Sequence, residues 1–224
     1  MRQVSEAIDF ERGAGGAPDP LPRGRHKLPL ETVRANQRER LLRAMLESVG
    51  ERGYEATTVP EVIARARVSR NAFYQLFSDK VDCFLVLCEE LADQLLEETF
   101  RPVEVMDWRQ AVREGATRYL AWWQDRPLFA RSYLLELPTA GPRAMDQRHR
   151  QYERFAERFQ VLADWARRQE PDLAPLRPNA TRFVVYAITE LVAARTAIQG
   201  AGELASLQGD IVWLVERVLS ERTR

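Results

Sequence analysis

The sequence predicts an all-α protein, and three observations support this prediction. Apolar residues recur at helical spacing after Leu30, no stretch alternates apolar and polar residues as a strand would, and proline and glycine divide the chain into helix-length segments. The 224 residues are 45% hydrophobic and 29% charged, which is typical of a globular protein with enough chain to bury a core.

The first 30 residues predict a flexible arm, because glycine and proline interrupt them too often for regular structure. The basic part of this arm consists of Arg23, Arg25, His26 and Lys27. The first helix then runs from about Thr32 to Arg52 and stops at Gly53, a residue type favoured just past a helix end. Its apolar stripe consists of Leu42, Met45, Leu46 and Val49.

Two short helices joined by a tight turn are predicted next. Thr58 and Glu61 have the spacing of a capping box, and Ser69 is a residue type that caps helix N-termini. The predicted segments are Val59–Ala66 for the first helix, Arg67 and Val68 for the turn, and Ser69 to Leu76 for the second helix.

Ser78 is expected to cap a fourth helix that reaches about Thr99 and ends before Pro102. Proline and glycine separate five further helices. They are predicted at about Asp107–Asp125, Pro127–Leu137, Arg143–Gln169, Pro178–Gln199 and Glu203–Arg222.

The two short helices carry the clearest functional signal. Six apolar residues are expected to pack the two helices together: Val62, Ile63, Ala66, Val68, Phe73 and Phe77. The residues left exposed on the second helix are expected to be Ser69, Arg70, Asn71, Ala72, Tyr74 and Gln75. In a DNA major groove, Arg can fork onto guanine, Asn can pair with adenine and Ala can touch a thymine methyl. A helical hairpin with an ordinary polar surface is the alternative.

Charge is unevenly distributed along the chain, although the formal net charge is zero. Residues 21–80 hold 12 Lys and Arg against 7 Asp and Glu, whereas residues 81–224 hold 19 against 22. A basic N-terminal region agrees with nucleic-acid binding, but an ordinary solvated charge excess fits equally well.

This N-terminal segment resembles the DNA-binding domain of TetR-family regulators over about Arg34–Leu95. The matching motif is Gly53-Tyr54, Thr57-Thr58-Val59, Ile63-Ala64, Ala66-Arg67-Val68-Ser69, Phe73-Tyr74, Phe77 and Lys80. The chain departs from the family at Arg67, which replaces a turn glycine that tolerates positive φ. Arg67 is therefore expected to bend the turn differently or to accept strain, and to contact a phosphate or remain in solvent.

The resemblance implies a role for each matching residue. Thr58, Tyr74 and Lys80 would hold DNA phosphates, as would the N-terminus of the fourth helix. Ser69 and Arg67 are also expected to lie at the DNA surface. Arg70, Asn71 and Ala72 would reach base edges. The basic arm is either a solvated tail or a segment that contacts phosphates or a minor groove.

The resemblance also implies the domain organisation. Residues 31–79 would bind double-stranded DNA, and residues 80–224 would bind an effector and form a homodimer through the last two helices. The residues expected at the dimer interface are Val185, Ile188, Val192, Leu214 and Val218. A core role for both helices is the alternative.

Aromatic residues concentrate between residues 107 and 169 and predict a pocket for a small apolar or aromatic effector. The residues expected to line it are Trp108, Trp122, Trp123, Phe129, Tyr133, Phe155 and Phe159. Most could instead be ordinary core. No Arg cluster is apparent in the sequence that would point to an anionic ligand, and no acidic cluster points to a cationic one.

Other function classes have little support in the sequence. The two histidines, His26 and His149, lack the partners of a catalytic site, so an enzyme and a cofactor are not expected. Cys83 and Cys88 are expected to pack as small apolar residues. Without an apolar run of membrane-spanning length or a signal pattern, a cytoplasmic protein is expected.

The favoured interpretation is a repressor that a ligand releases from a palindromic operator, by shifting the fourth helix. A DNA-bound helical scaffold without an effector is the alternative.

Overall fold

A computed structural model describes residues 29–102 and 107–222 of the chain. The basic part of the expected arm, from Arg23 to Lys27, lies outside these described residues. Within them the regular structure is helical, apart from an isolated antiparallel bridge between Leu173 and Arg222. The all-α prediction is confirmed.

The helices follow the predicted order. Their bounds are α1 Leu30–Arg52, α2 Val59–Ala66, α3 Arg70–Leu76, α4 Lys80–Thr99, α5 Trp108–Gln124, α6 Pro127–Arg131, α7 Pro142–Gln169, α8 Ala180–Gln199 and α9 Gln208–Leu219. None of the described helices is long and apolar enough to cross a membrane.

Two predicted helices are divided in the structure. The expected helix at Pro127–Leu137 becomes α6, a π-helical turn at Ser132–Glu136 and a 3₁₀ turn at Leu137–Ala140. Pro138 explains the change, because its ring has no N–H and clashes with the carbonyl four residues earlier in a regular α-helix. The expected last helix likewise begins as a 3₁₀ segment at Ala201–Leu207 before α9.

The start of α4 corrects one predicted cap. Asp79, not Ser78, is the N-cap, since its carboxylate accepts a hydrogen bond from the Asp82 N–H at 2.6 Å. Ser78 instead donates its N–H and its hydroxyl to the Asp82 carboxylate, at 2.8 and 3.1 Å.

One apolar core runs from α1 to α9, and α4 is its central element because it packs against α1, α5 and α7. The π-helical region also touches the N-terminal helices. A Cβ added to Gly50 in α1 would lie 2.9 Å from the Leu128 side chain, so the close approach of α1 and α6 requires a glycine here. Nearby, the Tyr54 N–H donates to the Glu136 carboxylate at 2.9 Å.

Candidate nucleic-acid interface and ligand cavity

The turn between α2 and α3 is a Schellman motif closed by an arginine. The Arg67 N–H donates to the Ala64 carbonyl at 3.2 Å, and the Val68 N–H donates to the Ile63 carbonyl at 3.0 Å. Arg67 is left-handed, with φ 51° and ψ 43°. The expected choice between a changed turn and a strained arginine is therefore resolved in favour of strain.

Arg40 of α1 holds this turn in place, although sequence reasoning did not single it out. Its guanidinium is buried and donates to the carbonyls of Ala66 and Arg67, the latter at 3.1 Å. A helical, polar stretch of α1 gave no signal that one arginine would turn inward to bind carbonyls 26 and 27 residues away.

The exposed surface of α3 contains most of the predicted DNA-contacting residues. Ser69 caps the helix, and its Oγ accepts a hydrogen bond from the Ala72 N–H at 3.1 Å. The side chains of Arg70, Asn71 and Tyr74 are exposed, and the Arg70 guanidinium lies 5.7 Å from the centre of the Tyr74 ring.

Ala72 is a correction. It was expected to be exposed and to touch a thymine methyl, but it is buried in the core formed with Phe73 and Val68. Because α3 is short and its apolar face wraps round from Val68 through Phe73 to Phe77, position 72 turns inward. Ala72 is therefore not available for the base contact that the sequence predicted, whereas Arg70 and Asn71 are exposed.

Thr58 and Lys80 lie on either side of the α1–α2 loop. Thr58 is exposed, and its N–H lies 3.4 Å from the Glu61 carboxylate, as the predicted capping box requires. The Lys80 ammonium donates to the carbonyls of Tyr54 and Thr57, both at 2.9 Å, and lies 4.0 Å from the centre of the Tyr54 ring. Burial lowers the pKa of Lys80. Two of its three N–H donors are thus used inside the protein, which leaves one for a phosphate.

A cavity of about 390 Å³ lies among α4, α5, α7, α8 and α9. Its wall is mainly apolar, and it includes four of the residues predicted to contact an effector. These four are Trp123, Tyr133, Phe155 and Phe159. Other aromatic residues of the wall are Phe100, Tyr119, Tyr152 and Trp165.

Three residues predicted to line the pocket are core residues instead. Trp108 is fully buried, and its indole N–H donates to Glu170 at 2.8 Å. Trp122 packs edge-on against Trp123 at 5.3 Å, and Phe129 stacks on Trp123 at 5.6 Å. Trp122 and Phe129 therefore lie behind the Trp123 ring, which separates them from the cavity.

Polar groups of the inner wall are tyrosine hydroxyls in an apolar environment. Burial raises the pKa of Tyr119 to about 12, and it also raises the pKa of Tyr133 and Tyr152 above the usual value for a phenol. These hydroxyls stay protonated at neutral pH.

Three of the five predicted dimer residues need correction. Val185, Ile188 and Val192 are buried inside the protomer, and the first two line the cavity, because the apolar stripe that they form faces α7 and the cavity. Leu214 and Val218 are half-buried against the core. The apolar residues that α8 and α9 expose are Phe183, Leu191, Ile198 and Trp213, with exposed fractions of 69%, 39%, 81% and 64%.

The sequence of α8, which is apolar on nearly all sides, already indicated that part of its apolar surface would be exposed in the protomer. Exposed Ala187, Ala194 and Ala197 lie between the large exposed residues, so one broad face of α8 is apolar and unpartnered in the protomer. The sequence could not show which of the two apolar faces turns inward.

The two buried cysteines behave as predicted. Cys83 and Cys88 are free and buried, and burial raises the pKa of both thiols, so neither is a reactive thiolate at neutral pH. His149 is exposed on α7, where its Nδ1 lies 3.1 Å from the Tyr186 hydroxyl.

Together, the capped α2–turn–α3 arrangement and the surrounding helices define a helix-turn-helix protein whose C-terminal helices enclose a cavity. Residues 41–87 match the family model described as bacterial regulatory proteins, tetR family. The N-terminal helices thus carry the DNA-binding domain of tetR-family bacterial regulators, and DNA-binding transcription regulation is the function that this match supports. Among curated proteins, none matches this sequence.

Solved structures of such regulators share the fold. FadR from Bacillus subtilis, in complex with stearoyl-CoA, has a TM-score of 0.70 and 16% identity, covering 79% of this chain and 96% of its own. FadR from Bacillus halodurans, a fatty acid degradation regulator, has a TM-score of 0.65 and 15% identity, covering 80% of this chain and 94% of its own. TylP from Streptomyces fradiae has a TM-score of 0.61 and 20% identity, covering 82% of this chain and 86% of its own. At these identities the likeness establishes the fold.

Proposed function

We propose that this regulator is a repressor that reads a palindromic operator as a homodimer and leaves it when an effector enters the cavity. One observation carries the proposal. Helix α4 begins at Lys80, which is bonded to the loop before α2, and it continues to Ala92 and Leu95, which line the cavity. A ligand that displaces the far end of α4 would therefore move the DNA-binding helices.

The contacts with DNA follow from the exposed surface of α3. Arg70 and Asn71 would read base edges, while Thr58, Ser69 and Tyr74 would bind phosphates. Arg67 is exposed at the turn beside them and would add a phosphate contact. Residues 31–79 would form the DNA-binding domain and residues 80–224 the effector and dimerisation domain.

The exposed apolar face of α8 and α9 would form the dimer interface. Phe183, Leu191, Ile198 and Trp213 would pack against the same residues of a second copy in a four-helix bundle. A two-fold dimer places two α3 helices in successive major grooves about 34 Å apart, which is why the operator would be palindromic.

The cavity favours a ligand-responsive regulator over a helical scaffold without an effector. Its volume of about 390 Å³ is in the range of small-molecule sites. Phe155, one of the aromatic residues predicted to line an effector pocket, lies in its wall. FadR from Bacillus subtilis, which has the same fold, was solved in complex with stearoyl-CoA. We propose that the cavity here binds an effector with an apolar body. We also propose that the protein is cytoplasmic.

The decisive experiment is a footprint on the DNA that flanks the gene for this chain, combined with sedimentation of the purified protein. We expect a protected palindrome, bound by a dimer with an affinity that falls as salt rises. The quadruple variant Phe183→Ser, Leu191→Ser, Ile198→Ser, Trp213→Ser should sediment as a folded monomer and lose the footprint. A wild-type monomer without preference for any duplex would overturn the proposal.

A further inference from the structure

Four arginines line the cavity, and this is the feature that the effector proposal does not yet use. They are Arg101, Arg118, Arg158 and Arg168. No aspartate, glutamate or lysine is among the described residues of the wall. The absence of an arginine cluster in the sequence was misleading, because the four residues come from separate places along the chain: the end of α4, the middle of α5 and two turns of α7.

Contacts between their neighbours place three of the arginines together. The Phe100 ring packs against Phe155 at 5.9 Å and against Phe159 at 5.2 Å, which brings the end of α4 to this level of α7. The Arg118 guanidinium donates to the Arg101 carbonyl at 3.2 Å.

Helix α5 reaches the same level, because the Tyr119 ring packs 6.4 Å from the Phe155 ring. Arg101, Arg118 and Arg158 therefore surround one part of the cavity, whereas Arg168 lies ten residues along α7, about 15 Å away.

These arginines mark the mouth of the cavity. Arg158 and Val161 are exposed, while Tyr119, Trp123 and Tyr133 on the inner wall are buried. Arg158 has no carboxylate partner within the described residues. Arg118 is 15% exposed and lies 3.5 Å from Glu114, and Arg101 lies 3.3 Å from Glu98. A guanidinium beside an apolar cavity suits a planar carboxylate or a phosphate, which it binds through two parallel hydrogen bonds.

The shape of the cavity indicates the body of the ligand. Its wall follows α7 from Tyr152 to Trp165, and thirteen residues of helix rise by about 20 Å. An apolar wall that extends along α7 on either side of Arg158 can accommodate a flexible acyl chain.

We propose that the effector is an acyl amphiphile whose anionic headgroup binds Arg118 and Arg158 at the mouth and whose chain fills the cavity. The inference rests on the proposed effector site and adds the charge and shape of its ligand. A free carboxylate and the phosphates of an acyl-coenzyme thioester share this chemistry, and the experiment distinguishes them.

The test measures binding to the full-length protein with three probes of equal chain length: dodecanoate, dodecanoyl-CoA and the neutral dodecanol. Trp123 and Trp165 line the cavity, so quenching of tryptophan fluorescence reports occupancy. We expect at least one anionic probe to bind about tenfold or more tightly than dodecanol, as hydrogen bonds to a charged group allow. The tighter of the two anions identifies the source of the headgroup.

Variants locate the headgroup. Arg118→Gln/Arg158→Gln should lose that preference and bind the anion and dodecanol equally. Arg167→Gln, which removes an α7 arginine outside the cavity wall, is the matched control and should keep the preference. Melting temperatures check that each variant is folded.

Two results would overturn the proposal: equal binding of anionic and neutral probes to the wild-type protein, or equal losses of the preference in Arg167→Gln and in the double variant. If dodecanol alone bound and released the operator, the ligand-released repressor would stand and the anionic headgroup would not. Failure to bind an operator at all would instead remove the proposed function.

Discussion

The DNA-facing surface and the cavity are assembled in different ways. On α3, the exposed residues lie within the seven positions from Ser69 to Gln75, and a cap and a turn three to five residues away set their geometry. The cavity takes its wall from five helices, with residues as far apart in the chain as Ala92 and Val215. A substitution of an exposed side chain on α3 should therefore change one function and leave the fold intact, whereas a substitution in the wall should change binding and packing together.

The largest expected effect tests the first half of this comparison. Arg70→Ala or Asn71→Ala should weaken operator binding by about 1–3 kcal/mol for each half-site, since each removes the side chain that we propose as a bidentate base contact. The melting temperature should stay unchanged, because both side chains are exposed. Titrations with the operator and with random DNA measure the effect.

Gln75→Ala, an exposed change on the same helix, is the control for Arg70 and Asn71. It should leave discrimination between operator and random DNA intact. If Arg70→Ala weakened binding to all duplexes equally, Arg70 would be a phosphate contact and not a base reader.

Ser69→Ala should have the next largest effect, and it tests whether local structure controls α3. The change removes the hydrogen bond from the Ala72 N–H to Ser69 Oγ, and loss of an N-cap typically costs about 1 kcal/mol. Urea unfolding measures this loss. Ser69→Asn restores a capping side chain and should recover most of the stability, whereas equal instability of both variants would show that the cap is unimportant.

Local rules explain why the N-terminal helices were predicted well. The bounds of α2 were predicted as observed, because a capping box, a turn and an N-cap all act within a few residues. Ala72 was placed on the wrong side because on a helix of seven residues the boundary between buried and exposed faces depends on α1 and α4, which the short motif does not encode.

Longer-range packing explains the misses in the C-terminal domain. Trp123 and its neighbour Trp122 are equally aromatic, but the stacking of Phe129 on Trp123 decides which of them reaches the cavity. Similarly, Val185 and Phe183 both suit an interface, and the packing of α8 against α7 buries one and exposes the other. Because α8 has two apolar faces, the periodicity of its sequence cannot show which of them is buried.

A smaller effect is expected at the turn, where Arg67 combines strain with exposure. Arg67→Gly should stabilise the protein by about 0.5–1 kcal/mol, because glycine adopts positive φ without the steric cost, although part of the gain is lost to the entropy of the unfolded chain. Arg67→Ala keeps that cost and should not be stabilised.

Both Arg67 variants remove the guanidinium, so DNA titrations separate its two roles. An equal loss of operator affinity in the two variants would confirm a phosphate contact, and unchanged affinity in both would show that Arg67 only closes the turn. Stabilisation of Arg67→Ala to the same extent as Arg67→Gly would contradict the assignment of strain.

The smallest expected effect sharpens the second half of the comparison, at a wall residue where binding and packing meet. The Tyr152 hydroxyl is buried and makes no hydrogen bond of ordinary geometry within the described residues; its polar neighbour is the Arg148 guanidinium, which lies over the ring at 5.2 Å and opposes the rise in the Tyr152 pKa that burial causes. Tyr152→Phe should therefore stabilise the empty protein by about 0.5 kcal/mol, because a buried hydroxyl without a partner costs free energy.

Tyr186→Phe, which removes the hydroxyl that faces His149, is the control and should be neutral or slightly destabilising. Unfolding of both variants, with and without a bound probe, measures the difference. If Tyr152→Phe were destabilised by 1 kcal/mol or more, on the order of a lost hydrogen bond, the hydroxyl would already have a partner in the folded chain, and the inner wall would be more polar than its contacts indicate.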